Sequence, residues 1–252
     1  VGTVRDAGHV QIVFGSTTAV GQEFPSKGFV QGANQPLGGG PEEDDWLGYA
    51  VAAGTSPTGY PFLVIGVPGE DGAGGVDMGL IGYVYGTDFK AASVRQNSTG
   101  VWGEAEPYDR FGASIAATDR FFAVGAPGES IGTVAFAGGV QAFRPSINSN
   151  GIPDPLFGMG QGRVPAPDSA AQTDDRHGSA LAMAPYPRTY AGISLGSSPS
   201  ALYVGVPYGP AGGHAVHAFP WNTASGGAPT QTWRPGEGGI PAGGAAFGAA
   251  VR

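Results

Sequence analysis

The 252-residue chain contains no cysteine, which excludes disulfides, thiolate metal sites and cysteine nucleophiles. Basic side chains are scarce: twelve Lys and Arg face twenty Asp and Glu, a formal net charge of −8. That balance repels a phosphate backbone, so nucleic acid is not an expected partner. No run of eighteen apolar residues occurs, and the first residues carry no basic segment leading into an apolar stretch, so membrane insertion is not expected either. Turn formers, in contrast, are abundant. Gly (47) and Pro (22) make up about 27% of the chain, a level at which low-complexity disorder is the default reading. Regularly spaced Val, Ile and Phe runs between the Gly and Pro clusters reject that default and point to many short strands joined by tight turns.

Those runs repeat. Leu63-Val64-Ile65-Gly66-Val67-Pro68-Gly69-Glu70, Phe122-Ala123-Val124-Gly125-Ala126-Pro127-Gly128-Glu129 and Leu202-Tyr203-Val204-Gly205-Val206-Pro207-Tyr208-Gly209 are copies of one segment. Upstream of each lies a small-residue stretch opened by a large residue and Gly: Leu47-Gly48, Phe111-Gly112, His177-Gly178 and, at the end of the chain, Phe247-Gly248. A third segment follows, pairing Gly with alternating apolar residues and an aromatic finish, at residues 8–14, 79–85, 138–143 and 213–219. The opening pairs are 64, 66 and 70 residues apart, room for four strands of five or six residues and their turns. Such a unit reads as a four-stranded antiparallel blade whose apolar faces must be covered by neighbouring blades, the plan of a β-propeller. Residues 62–67, 121–126 and 201–206 are predicted strands, each antiparallel to the small-residue strand before it. Helix is predicted to be nearly absent. The blade parts fall at 1–45, 46–109, 110–175 and 176–245, with the start of a further blade at 246–252.

The combination of Phe111-Gly112, the Val124-Gly125-Ala126-Pro127 strand and the Gly-Val-Gln-Ala-Phe strand at 139–143 resembles the FG-GAP repeat of integrin α-subunits and of many secreted bacterial proteins. The Pro-Gly-Glu extensions at 68–70 and 127–129 resemble the actinobacterial form. This resemblance implies an all-β propeller, with about four blades of a seven-bladed ring covered here, a secreted or extracellular location, and a non-enzymatic role in adhesion or lectin-like recognition. It also implies a calcium loop between the first two strands of each blade, but the loops here hold too few acids for an oxygen-coordinated cation, Asp119 being the single one. No metal and no cofactor is therefore expected, residues 148–154 being the nearest imitation of a cation loop. Residues 1–10 align with 131–140, so the first blade is expected to lack its front half and the chain to be part of a longer polypeptide, which it or another subunit would complete. A four-bladed ring remains the other arrangement.

Because strand direction alternates, the connection between strands 2 and 3 and the one leading from strand 4 into the next blade lie at the same end of a blade. Fourteen of the twenty acids fall in these two loop families, so one strongly negative face is expected. The recurrent Asp45, Asp109 and Asp175 have a simple structural reading as turn acids accepting backbone N–H groups. Glu42, Glu43, Asp44, Glu104 and Glu106 are not repeated and are candidates for a partner surface. Aromatic residues outside the strand alternation, Trp46, Tyr108 and Tyr208 above all, are candidates for stacking on a sugar or anchoring a protein. Catalytic constellations are weak: His214 and His217 are three apart on a strand, His177 stands at the large opening position, and Ser114 and Ser179 have no recognisable base. The expected function is a recognition module for a glycan or a protein, with no catalytic residues. The alternative is a targeting or scaffolding module of a secreted hydrolase or a multi-component extracellular complex.

Overall fold

A computed structural model describes residues 3–21, 24–32, 35–160, 170–185, 189–190, 193–194, 200–208, 214–221, 231–243 and 246–251. The fold is all-β, with no helix among the described residues. The first sheet pairs β1 (Val10–Ile12) with β2 (Lys27–Phe29). The second runs in chain order through β3 (Val51–Thr55), β4 (Pro61–Val67), β5 (Leu80–Tyr85) and β6 (Lys90–Val94). The third repeats the plan with β7 (Ser114–Ala117), β8 (Phe122–Ala126), β9 (Gly139–Ile147) and β10 (Pro153–Met159). After β11 (Ala180–Pro185), a small hairpin of β12 (Thr189–Tyr190) and β13 (Ile193–Ser194) intervenes. The fourth sheet then continues from β11 through β14 (Ser200–Val206), β15 (Ala215–Trp221) and β16 (Gln231–Trp233). All pairings within these sheets are antiparallel, so three four-stranded, blade-like meanders follow one another along the chain.

The register repeats with the sequence. Val64 lies opposite Ala52 and Tyr83, Val124 opposite Ile115 and Gln141, and Val204 opposite Leu181 and His217. The predicted second strands at 62–67, 121–126 and 201–206 are β4, β8 and β14, each antiparallel to the strand before it, with Phe121 left just outside β8. The small-residue strands begin later than their opening pairs: β3 starts four residues after Leu47, and β7 and β11 start three residues after Phe111 and His177. The reason is the glycine. Gly48, Gly112 and Gly178 have φ of +92°, +99° and +88°, a left-handed conformation that a strand cannot hold. The opening pairs form instead a short parallel link with the preceding sheet, as in the bridges from Leu47 to Gly8 and from Phe111 to Gly79. Residues 246–251 hold no strand among those described.

The core is divided among the gaps between sheets. Phe29, Leu37, Ile65 and Leu80 fill the gap between the first two sheets, while Phe62, Tyr83, Phe122 and Phe143 fill the next. Val140, Met159, Leu202 and Phe219 fill the third. The middle gap holds an aromatic stack, with Tyr83 and Phe122 rings 5.5 Å apart and Phe122 and Phe143 rings 4.8 Å apart. Tyr83 also donates its hydroxyl proton to the Pro145 carbonyl at 2.6 Å, which satisfies the one polar atom that burial would otherwise strand. The first strands lie side by side, β7 packing against β3 on one side and β11 on the other.

The two motif glycines explain each other. A Cβ on Gly66 would stand 2.0 Å from the Gly112 carbonyl oxygen, one on Gly125 would stand 2.2 Å from that of Gly178, and one on Gly205 would stand 1.9 Å from that of Gly248. Each second strand therefore touches the opening Gly of the next repeat through bare backbone. Gly112 and Gly178 complete the link by donating their N–H groups to the carbonyls of Gly125 and Gly205.

His177 takes the place that Leu47 and Phe111 hold in the other repeats, and it is fully buried. Neither ring nitrogen has a hydrogen-bond partner, and burial, with His217 6.2 Å away, pushes its pKa down to about 3. It is a neutral packing residue at physiological pH. Replacing it with Phe, as in the neighbouring repeat, is expected to stabilise the fold by about 1 kcal/mol at pH 7, because two unpaired polar atoms leave the core. A melting temperature below that of the parent would show that the ring makes a polar interaction worth keeping.

Candidate functional site

The two loop families do meet. The backbone N–H groups of Asp44, Trp46 and Leu47 donate to the carbonyls of Arg5, Asp6 and Ala7, and those of Tyr108, Arg110 and Phe111 donate to Val76, Asp77 and Met78. Asp174, Arg176 and His177 bond in the same way to Ala135, Phe136 and Ala137. On this end of the sheets lies a recess of about 400 Å³, lined by equivalent residues of successive repeats. Pro68, Pro127 and Pro207, which terminate β4, β8 and β14, contribute one layer. Trp46, Arg110 and Arg176, which immediately precede the opening pairs, contribute another. Tyr49, Tyr108, Phe136 and Tyr208 add rings, and Tyr49, Tyr108 and Tyr208 are 63%, 48% and 44% exposed.

These side chains are held in place by one another. The Arg110 guanidinium lies 5.9 Å from the Trp46 ring centre, and that of Arg176 lies 5.2 Å from Phe136 and 5.8 Å from Tyr208. Trp46 and Tyr49 rings are 6.1 Å apart. Arg110 donates from Nη2 to Asp77 at 2.9 Å, and Arg176 donates from Nη2 to Asp174 at 3.3 Å. Trp46, Arg110 and Arg176 all have positive φ, +56°, +56° and +51°, where Gly or Asn is the easier choice. Left-handed backbone under long side chains gathers at functional sites because the surrounding structure must hold it there.

The candidates read from the sequence are distributed over three places. Trp46, Tyr108 and Tyr208 come together in the recess. Glu104 and Glu106 lie instead in a separate groove of about 430 Å³ with Trp102 and Glu129. Glu42 and Glu43 are exposed, and Glu43 and Asp44 are ion-paired with Arg5 at 2.5 Å and 3.0 Å, so part of that patch is neutralised locally. Of the other unaligned aromatics, Trp102 is packed on the bare backbone of Gly139 and Gly158, Trp233 lies 6.1 Å from Tyr203, and the Trp221 side chain lies outside the described residues. Arg110, Arg176, Tyr49 and Phe136 were not singled out from the sequence. The available signal was positional: Arg110 and Arg176 share the repeat position of Trp46, whereas the apolar and Gly positions around them are fixed.

The expectation of fourteen acids on one face needs correction. Asp45, Asp109 and Asp175 are fully buried, and Glu70 and Glu129 are only 4% and 5% exposed. Each Asp accepts, at Oδ2, the N–H of the residue three positions earlier: Glu42 at 2.5 Å, Glu106 at 2.7 Å and Gln172 at 2.7 Å. Glu70 accepts from Gln31, in the loop after β2, and pairs with Arg95, and Glu129 accepts from Gln96, in the loop after β6, at 2.5 Å. These five acids stitch loops and sheets together.

The hydroxyls are likewise occupied: Ser114 donates to the Gly178 carbonyl at 2.6 Å and Ser179 to the Arg176 carbonyl at 2.7 Å. Asn148 accepts the N–H of Asn150 at 2.9 Å within its own turn, and Asp154 pairs with Arg144 at 3.2 Å. Among the described residues, no three His, Asp or Glu side chains converge as metal ligands. Comparison with protein-family models and with curated proteins returns no match.

Proposed function

We propose that this chain is part of an FG-GAP-like β-propeller that acts as a secreted, non-enzymatic recognition module, and that the recess between its repeats binds a glycan. The consecutive meanders, each with its own core against the next and with their first strands adjacent, support the propeller reading. One observation carries the function: rings from several repeats, remote in sequence, are gathered around one concavity on the loop-bearing end. Its volume suits one or two sugar rings, within the roughly 300–1,000 Å³ typical of small-ligand sites, whereas a protein partner would want a broader and flatter surface. Exposed Tyr and Trp faces supply the apolar platforms on which the C–H face of a pyranose stacks.

The test is a glycan array followed by titration of Trp46→Ala and Tyr108→Ala variants against a retained glycan. Each is expected to weaken binding at least about tenfold, ~1.4 kcal/mol, while circular dichroism stays unchanged. Were a pull-down instead to deliver a basic protein whose binding falls with salt and with charge reversal at Glu42, Glu43 and Asp44, the acidic loops and not the recess would be the site.

A further inference from the structure

We infer that the ligand of the recess is an acidic sugar, a pyranose bearing a carboxylate, which Arg110 and Arg176 bind; this rests on reading the recess as a glycan site. The chain is poor in cations and its loops are rich in acids, yet the charged groups lining this concavity among the described residues are two arginines, with no carboxylate. A recess built to take an uncharged sugar has no need of that inversion. Asp77 and Asp174 hold the two guanidinium groups from outside the lining, so they fix the arginines without closing the cavity to an anion.

The donors left over are the right kind. A guanidinium has five N–H donors in a planar fork that matches a carboxylate, and each of these guanidinium groups makes one hydrogen bond among the described residues, through Nη2. Stacking on Trp46 from one arginine, and on Phe136 and Tyr208 from the other, orients both forks before any ligand arrives, which lowers the cost of ordering them on binding. The turn sets left-handed backbone at this repeat position whether it carries Trp46, Arg110 or Arg176, so it does not call for arginine at either place. With the exposed Tyr49, Tyr108 and Tyr208 rings alongside, the recess offers a stacking face and an anion clamp to one small ligand.

The probe is an array of oligosaccharides bearing uronate or sialate carboxylates, sulfate esters or no charge, applied to the chain as it stands. Carboxylate-bearing glycans should be retained and uncharged ones not. Methyl esterification of a retained uronate or sialate, which removes the charge and leaves the ring, should weaken binding more than tenfold without any change to the protein. Arg110→Gln and Arg176→Gln should each weaken binding of the free acid about tenfold and narrow the gap in affinity between acid and ester. Retention of uncharged glycans alone, or equal affinity for acid and ester, would overturn the acidic-sugar assignment while leaving the glycan site in place. Retention of sulfated glycans alone would overturn the carboxylate in favour of sulfate. An array with no retained glycan would overturn both the assignment and the reading on which it rests.

Discussion

Gly125→Ala is expected to destabilise the fold by at least about 3 kcal/mol, the upper range for overpacking a close-packed interior. A methyl there would stand 2.2 Å from both the Gly178 carbonyl oxygen and the Ser114 hydroxyl, and the carbonyl is backbone that cannot rotate away. Moving it would break the hydrogen bond by which the Ser114 hydroxyl of the third sheet holds the Gly178 carbonyl, and would disturb the one that ties Gly178 to Gly205 within the fourth repeat. For a domain of this size the loss corresponds to roughly 6–12 °C in melting temperature. Gly15→Ala is the control, since a Cβ there has nothing within 4 Å and the backbone is not left-handed; it should change stability by less than about 0.5 kcal/mol. If Gly125→Ala melts within 2 °C of the parent, the contact between second-strand and opening glycines does not hold the repeats together.

Stability should rise as pH falls from 8 to 5, the reverse of ordinary acid denaturation. Burial raises the carboxyl pKa of Asp45, Asp109 and Asp175 from 3.8 to about 6, 7 and 6, an effect partly offset by the backbone N–H each accepts. A carboxyl with a raised folded pKa binds its proton more readily in the folded chain, so its stabilising contribution is complete below 3.8 and is lost as pH climbs through 6 to 7. His177 has the opposite sign. Its lowered pKa makes stability fall by about 1.4 kcal/mol per pH unit as pH drops below 6.5, because the unfolded imidazole takes a proton that the buried one refuses. Three carboxyls against one imidazole leave a net gain at pH 5 on the order of 2–4 kcal/mol. Thermal melts between pH 5 and 8 measure this directly. Asp109→Asn, which keeps an acceptor for the Glu106 N–H and cannot ionise, should flatten the profile and melt higher than the parent at pH 8. A parent that is most stable at pH 8, or an Asn variant with an unaltered profile, would show that these carboxylates stay charged when folded.

Much of the fold was legible because a tandem repeat multiplies a weak signal. A single Leu-Val-Ile-Gly-Val-Pro run could belong to many strands, but three copies with the same flanks at nearly constant spacing define a unit, and β4, β8 and β14 lie where that unit places them. The late starts of β3, β7 and β11 were not legible. A Gly in a small-residue stretch is compatible with a strand until its φ is known, and the positive values arise from the link to the preceding sheet. The site was legible in part. Trp46, Tyr108 and Tyr208 stood out because large rings fell outside the strand alternation, whereas Arg110 and Arg176 looked like ordinary solvated cations.

The sequence by itself determined the all-β class, the repeating unit, the alternation that buries one gap of residues after another, and the scarcity of metal-binding acids in the loops between first and second strands. Each of these is local or periodic, and so depends on residues close together in the chain. Only the tertiary structure decided which acids are buried and which face solvent, because Asp45 and Glu42, or Glu70 and Asp71, look alike in sequence and differ in whether neighbouring segments cover them. It also decided that Trp46, Tyr108, Arg110, Arg176 and Tyr208 share one recess. They lie up to 162 positions apart and meet because each repeat delivers its loop to the same end of its sheet, a coincidence of position that is set by packing between repeats.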